Sequence, residues 1–196
     1  KCCYQLGWLR ENRTPVSRIF ASSAASMVAV FAALGRFDEG FQFLSTTTIS
    51  EMVVPHKQGC SCVPKRLRAV YNILKYGSAF DRFDTTAFEH FVGTLTSQDD
   101  AQLSRVWVSV YDLVSHKQTW VQLDHRNAFE TIALSCSMTL LVKPQLTSDG
   151  RVVIDGGFGG LAPWERVNTK SCVCIRFADD DVSSSDIMGL NVFSLL

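Results

Sequence analysis

The chain switches between runs with helical apolar spacing and shorter runs in which apolar residues recur at every second position. Residues 24–34 are apolar all round, which predicts a helix buried on most faces and ended by Gly35 at its C-cap. An apolar stretch at residues 16–20 precedes it and reads as a strand, with small residues between the two. Over residues 64–76, Leu67, Val70, Tyr71 and Leu74 fall at helical spacing, with Pro64 suited to the first turn and Gly77 to the end. Asp84 predicts the N-cap of a further helix whose inner face is Phe88, Phe91, Val92 and Leu95.

Beyond residue 105 the period shortens to two. Val106, Val108 and Val110 alternate with Trp107, Ser109 and Tyr111, which predicts a strand rich in β-branched and aromatic residues. Ser115-His116-Lys117 is a polar turn, and residues 119–123 form the expected hairpin partner. Residues 127–137 predict a helix and 139–142 an extended apolar run. Ser148-Asp149-Gly150 predicts a turn, and residues 151–154 a strand. A last core strand is expected at 173–177, followed by an acidic, serine-rich surface loop at 179–185. This alternation predicts an α/β fold: a single three-layer α/β/α domain over residues 1–196, with a mainly parallel central sheet and helices on both faces.

Composition narrows the picture little. A chain of 196 residues that is 46% hydrophobic and 19% charged can bury a substantial core and does not read as disordered. The formal net charge of +0 gives no global reason to expect a nucleic-acid partner. The longest apolar run, residues 27–34, falls far short of the ~20 residues that span a bilayer. No signal-peptide pattern opens the chain. Seven cysteines, an odd number without disulfide-like spacing, point to free thiols and an intracellular, reducing setting. His56, Cys60 and Cys62 form a loose cluster that a metal-binding module would need, yet free thiols explain it better, so no metal and no cofactor are expected. Gly156-Gly157-Phe158-Gly159-Gly160 lacks both the P-loop ending and the dinucleotide glycine order.

The chemistry sits in two short segments far apart in the chain. Ala21-Ser22-Ser23-Ala24-Ala25 places a serine among small residues between the first strand and its helix. That is the order of a nucleophile elbow, which lifts a hydroxyl above a sheet edge. Asp155-Gly156-Gly157 sets an acid at the end of another strand, where it can orient or deprotonate the serine if the fold brings them together.

With these segments in order, the chain resembles the patatin-like phospholipases, lipid acyl hydrolases that use a serine–aspartate dyad. Tyr4 to Leu9 is similar to the helix after that family's oxyanion loop. Residues 22–29 resemble its elbow and helix, Ser78 to Leu95, Val106 to Leu113 and Ala128 to Met138 its middle, and Val152 to Gly157 with Pro163 its closing motif. The resemblance runs from about residue 3 to residue 177. It implies Ser23 as nucleophile, central in Ala21-x-Ser23-x-Ala25, and Asp155 as its base, with no histidine required. Lys1 and Cys2 then fall in the oxyanion region, with the N-terminal strand and the glycine loop expected upstream of Lys1. The sequence departs from the pattern at Ala21 and Ala25, where the family carries glycine.

The resemblance implies a phospholipase or esterase acting on acyl esters. The alternative is a catalytically silent relative that binds lipid or a protein partner. Lys57, Lys65, Arg66, Arg68 and Lys75 either attract an anionic membrane surface or form a solvated helix face. Phe158 and Trp164 line an acyl pocket or simply pack. His90, His116 and His125 are expected at the surface.

Overall fold

The computed structural model describes residues 2–12, 16–57 and 65–159. Helix α1 (Cys2–Asn12) leads to strand β1 (Ile19–Ser22), then α2 (Ala25–Leu34) and α3 (Phe37–Thr46). A short strand β2 (Val53–Val54) precedes α4 (Lys65–Tyr76), β3 (Ser78–Phe80) and β4 (Arg82–Phe83). Then come α5 (Thr86–Val92), α6 (Asp100–Leu103), the hairpin β5 (Val106–Asp112) and β6 (Lys117–Gln122), and α7 (Ala128–Ser135). Strands β7 (Leu140–Val142), β8 (Gln145–Leu146) and β9 (Val152–Asp155) follow, and a 3-10 turn over Gly156–Gly159 closes the described chain. The elements expected at 173–177 and 179–185 lie outside the described residues.

The alternation produces a mixed α/β fold, but the main sheet is not mainly parallel. Its order is β1-β5-β9-β8, with β6 on β5. Only β1 runs parallel to β5; β6 and β9 pair with β5 antiparallel, and β8 pairs with β9 antiparallel. The reason is loop length: the turns at 113–116 and 147–151 are too short for a crossover, so each joins antiparallel neighbours. A second parallel pair, β3 with β7, stands apart from the main sheet, as does the antiparallel pair of β2 with β4.

The core gathers around α2, whose residues 26–31 are all buried, as its uniformly apolar sequence requires. Gly35 ends the helix in the left-handed conformation at φ 70°, and its N–H and that of Arg36 close back on Ala32 and Phe31. Phe31, Phe43 and Phe88 meet with ring centroids 5.3 to 5.7 Å apart, joining α2, α3 and α5. Gly40 permits that contact, since a Cβ there would lie 2.7 Å from Leu6 and 2.9 Å from the Phe31 ring. The N-cap of α5 is Thr85, one residue beyond the expected Asp84, whose carboxyl instead accepts the Thr86 N–H at 3.0 Å; Phe88 and Val92 face inward. No helix among the described residues is long and apolar enough to cross a membrane.

Candidate active site

One edge of β5 brings the two segments together. Residues 106–109 pair with β1, which ends with Ser22 opposite Ser109. The next residues along the same edge, Val110 to Asp112, pair with β9, which runs the other way and ends with Asp155 opposite Val110. Two strands therefore meet end to end on one side of β5, and their C-terminal residues face each other. Ser23 and Asp155 leave the sheet at that junction.

Ser23 carries φ 55°, one of three non-glycine residues with positive φ among the described residues. A serine held in this region is strained by about 1–3 kcal/mol and needs its surroundings to hold it there. Its N–H donates to Ser135 Oγ at 2.9 Å. Its carbonyl accepts the Ser26 N–H at 2.9 Å and the Ser26 hydroxyl at 2.5 Å. The left-handed turn is confined to Ser23: Ala21 lies within β1 and Ala25 opens α2, neither with positive φ. Neither flanking position therefore needs glycine for its backbone conformation. Ala21 is buried in the core and Ala25 packs against it.

Asp155 is 8% exposed. Its carboxyl accepts the Gly157 N–H at 2.8 Å and lies close enough to the Ser23 side chain to be influenced by it. Burial raises its pKa above the ordinary aspartate value, and the Ser23 side chain and the Gly157 N–H offset this only in part. Its backbone N–H donates to the Ser137 carbonyl at 3.0 Å. The end of α7 thus grips both halves of the pair: Ser135 holds the backbone of Ser23, and Ser137 that of Asp155. Between them Cys136 is buried beside Ser26 and Asp155. Burial and the nearby carboxylate push its thiol far up, so it stays protonated and is no nucleophile.

Gly156 is fixed by close packing, because a Cβ there would lie 2.0 Å from the Ser109 carbonyl oxygen. Gln118 Nε2 donates to the Gly156 carbonyl at 2.9 Å, which ties the loop to β6. Phe158 is 54% exposed and rests edge-on against Tyr111, with centroids 5.2 Å apart. Cys2 opens α1 half-buried, with its thiol pKa raised mainly by burial, and it is close enough to Cys136 to affect that thiol. Lys1, Cys60, Cys62 and Trp164 lie outside the described residues.

The histidines take no part. His56 Nε2 lies 3.1 Å from the Ser78 carbonyl, and its ring stacks on Tyr76. His125, expected to be solvated, instead pairs with Asp100 at 3.0 Å. His90 and His116 are exposed. No cluster of three metal-ligating side chains occurs among the described residues. Sequence reasoning missed Ser26, Ser135 and Ser137. For Ser26 and Ser135 a signal was present as hydroxyls breaking otherwise apolar helical runs, where a buried polar group needs a partner, whereas Ser137 acts through its backbone carbonyl and left no side-chain signal.

No protein-family model matches this chain, and none of the curated proteins matches it.

Proposed function

We propose that this chain is a serine acyl hydrolase of the patatin-like kind, a three-layer α/β/α domain in which Ser23 is the nucleophile and Asp155 its base. The observation that carries this reading is the left-handed backbone of Ser23 at a strand-to-helix turn, set beside a buried carboxyl that a distant strand brings to the same edge of β5. Isolated serines in small-residue turns have no need of either feature. Ser23 Oγ attacks the ester carbonyl carbon while its proton passes to Asp155. The same proton goes to the departing alcohol as the tetrahedral intermediate collapses to an acyl-enzyme. Water then attacks the acyl carbon, gives a proton to Asp155 and releases the carboxylic acid as Ser23 recovers its hydrogen.

A carboxylate is a weak base for a serine hydroxyl, so the developing negative charge needs stabilisation elsewhere. The N-terminus of α2 follows Ser23 directly, and in an elbow the N–H after the nucleophile, here that of Ala24, donates to the oxyanion. The lipid or phospholipid substrate class comes from the resemblance. Phe158, exposed three residues after Asp155, suits an acyl chain at the site.

Fluorophosphonate labelling with peptide mapping tests the reading. Modification at Ser23 that disappears in Asp155→Asn is expected, together with loss of ester hydrolysis in Ser23→Ala. Absence of labelling in a folded protein would move the chain to the silent, ligand-binding class.

A further inference from the structure

Unlike α5, which buries Phe88 and Val92, helix α4 is built the opposite way round. Its apolar stripe points outward: Leu67 is 58% exposed, Val70 41% and Leu74 83%. Its inward face carries Asn72, which is buried and donates from Nδ2 to the Ala79 carbonyl at 2.9 Å. A helix that buries an amide and exposes three aliphatic side chains at i, i+3 and i+7 is not using that stripe for its own core. The twelve residues of α4 include four bases (Lys65, Arg66, Arg68 and Lys75) and no acid. The chain as a whole carries a formal net charge of +0, so positive charge is concentrated on this one element. The Lys75 ammonium sits over the rings of Tyr71 and Tyr76, 5.5 and 5.0 Å from their centroids. Leu140, 53% exposed, lies on β7, whose pairing with β3 opposes it to Ser78 just past the end of the helix.

We propose that α4 docks the protein onto an anionic lipid surface, with Leu67, Val70 and Leu74 entering the headgroup–acyl boundary and the exposed Lys75 meeting lipid phosphates, on a helix whose sequence carries no acid. An apolar stripe on a strongly basic helix is the composition of an interfacial helix, and each Lys or Arg near such a surface raises partition about fivefold. A second copy of the chain fits less well. A symmetric contact would set this helix against its own copy and bring two basic patches together. The proposal deepens the lipid-ester reading and rests on it for the nature of the surface, but its test does not pass through catalysis.

Flotation of the full-length Ser23→Ala protein with phosphatidylcholine vesicles, with and without phosphatidylglycerol, measures docking directly. Binding is expected only to the phosphatidylglycerol vesicles, and it should weaken as salt rises. Leu74→Asp should lower partition by about tenfold, as expected for withdrawing one leucine from the apolar boundary. Lys75→Glu should lower it by about fivefold or more. Both positions are at the surface, and an unchanged melting temperature verifies that the variants fold. Failure to bind phosphatidylglycerol vesicles overturns the proposal, as does full binding by Leu74→Asp. Self-association abolished by Leu74→Asp, without vesicle binding, overturns it in favour of a second copy. Hydrolysis of a soluble short-chain ester, measured on the Ser23 protein, separates the two readings: its loss counts against the hydrolase alone.

Discussion

The β1–β5–α7–β9 region and the α4–β3–β7 region use apolar side chains in opposite ways. Around the first, twenty buried residues form one continuous cluster that includes α2 and the flanking aromatic rings. Around the second, the buried cluster is Val53, Leu141 and Val142, while the aliphatic side chains of α4 face outward. Buried polar groups differ in kind as well. The Ser135 hydroxyl ties down a segment 112 residues away, whereas the Asn72 amide bonds to a strand only seven residues away. Dense packing holds a strained serine in place. The sparse region has a left-handed residue of its own, Leu140 at φ 70°, but that side chain is exposed rather than enclosed by the core.

The contrast can be broken most severely at the pair itself. Asp155→Asn should lower kcat/KM for a soluble ester by about 10²- to 10⁴-fold, the usual contribution of a positioned general base. The same substitution should not destabilise the protein at neutral pH, because it removes a charge whose burial is unfavourable. The sign follows from linkage. The folded protein binds the Asp155 proton more tightly than the unfolded chain. Between the ordinary aspartate value and the raised one, the folded state therefore holds more proton, and stability falls as pH rises through that window. Asp155→Asn should flatten this part of the profile in thermal melts taken across mildly acidic pH. Activity runs the other way, since kcat/KM should rise with pH as Asp155 ionises.

Next in size is the core. Phe88→Ala should cost about 3–5 kcal/mol, because it empties the space where three rings meet. Urea unfolding measures it. Ser135→Ala should cost about 1–3 kcal/mol by leaving the Ser23 N–H without its acceptor. It should also slow fluorophosphonate labelling of Ser23, whereas a merely structural loss at Phe88 would leave the labelling rate of the folded fraction unchanged. The smallest effect is expected on the other side of the comparison. Leu74→Asp should shift stability by no more than about 0.5 kcal/mol, as for an ordinary surface position.

Much of the fold was legible in the chain because local rules sufficed. The apolar run at 24–34 with Gly35, the alternation from Val106 and the turn at 148–150 each became the element they predicted. Spacing alone also marked the stripe on α4. It could not say which way the stripe faces, because periodicity defines a face without naming what covers it. Strand direction was misread for a related reason. Alternating helices and strands suggested parallel pairing, while the short turns that joined β5 to β6 and β8 to β9 dictated antiparallel neighbours.

At the candidate site the sequence by itself determined the parts: a serine among small residues, an acid before two glycines, and hydroxyls placed within apolar helical runs. Composition and spacing likewise determined that α2 would be buried and that α4 would be basic. Only the tertiary structure decided that β1 and β9 share one edge of β5 and meet end to end, that the turn strain falls on Ser23 rather than on its alanine neighbours, and that Ser135 and Ser137 hold the two halves. The reason is physical. Helix and turn signals act over a few residues, whereas the pairing of distant strands depends on burying many side chains at once, and no local segment carries that sum.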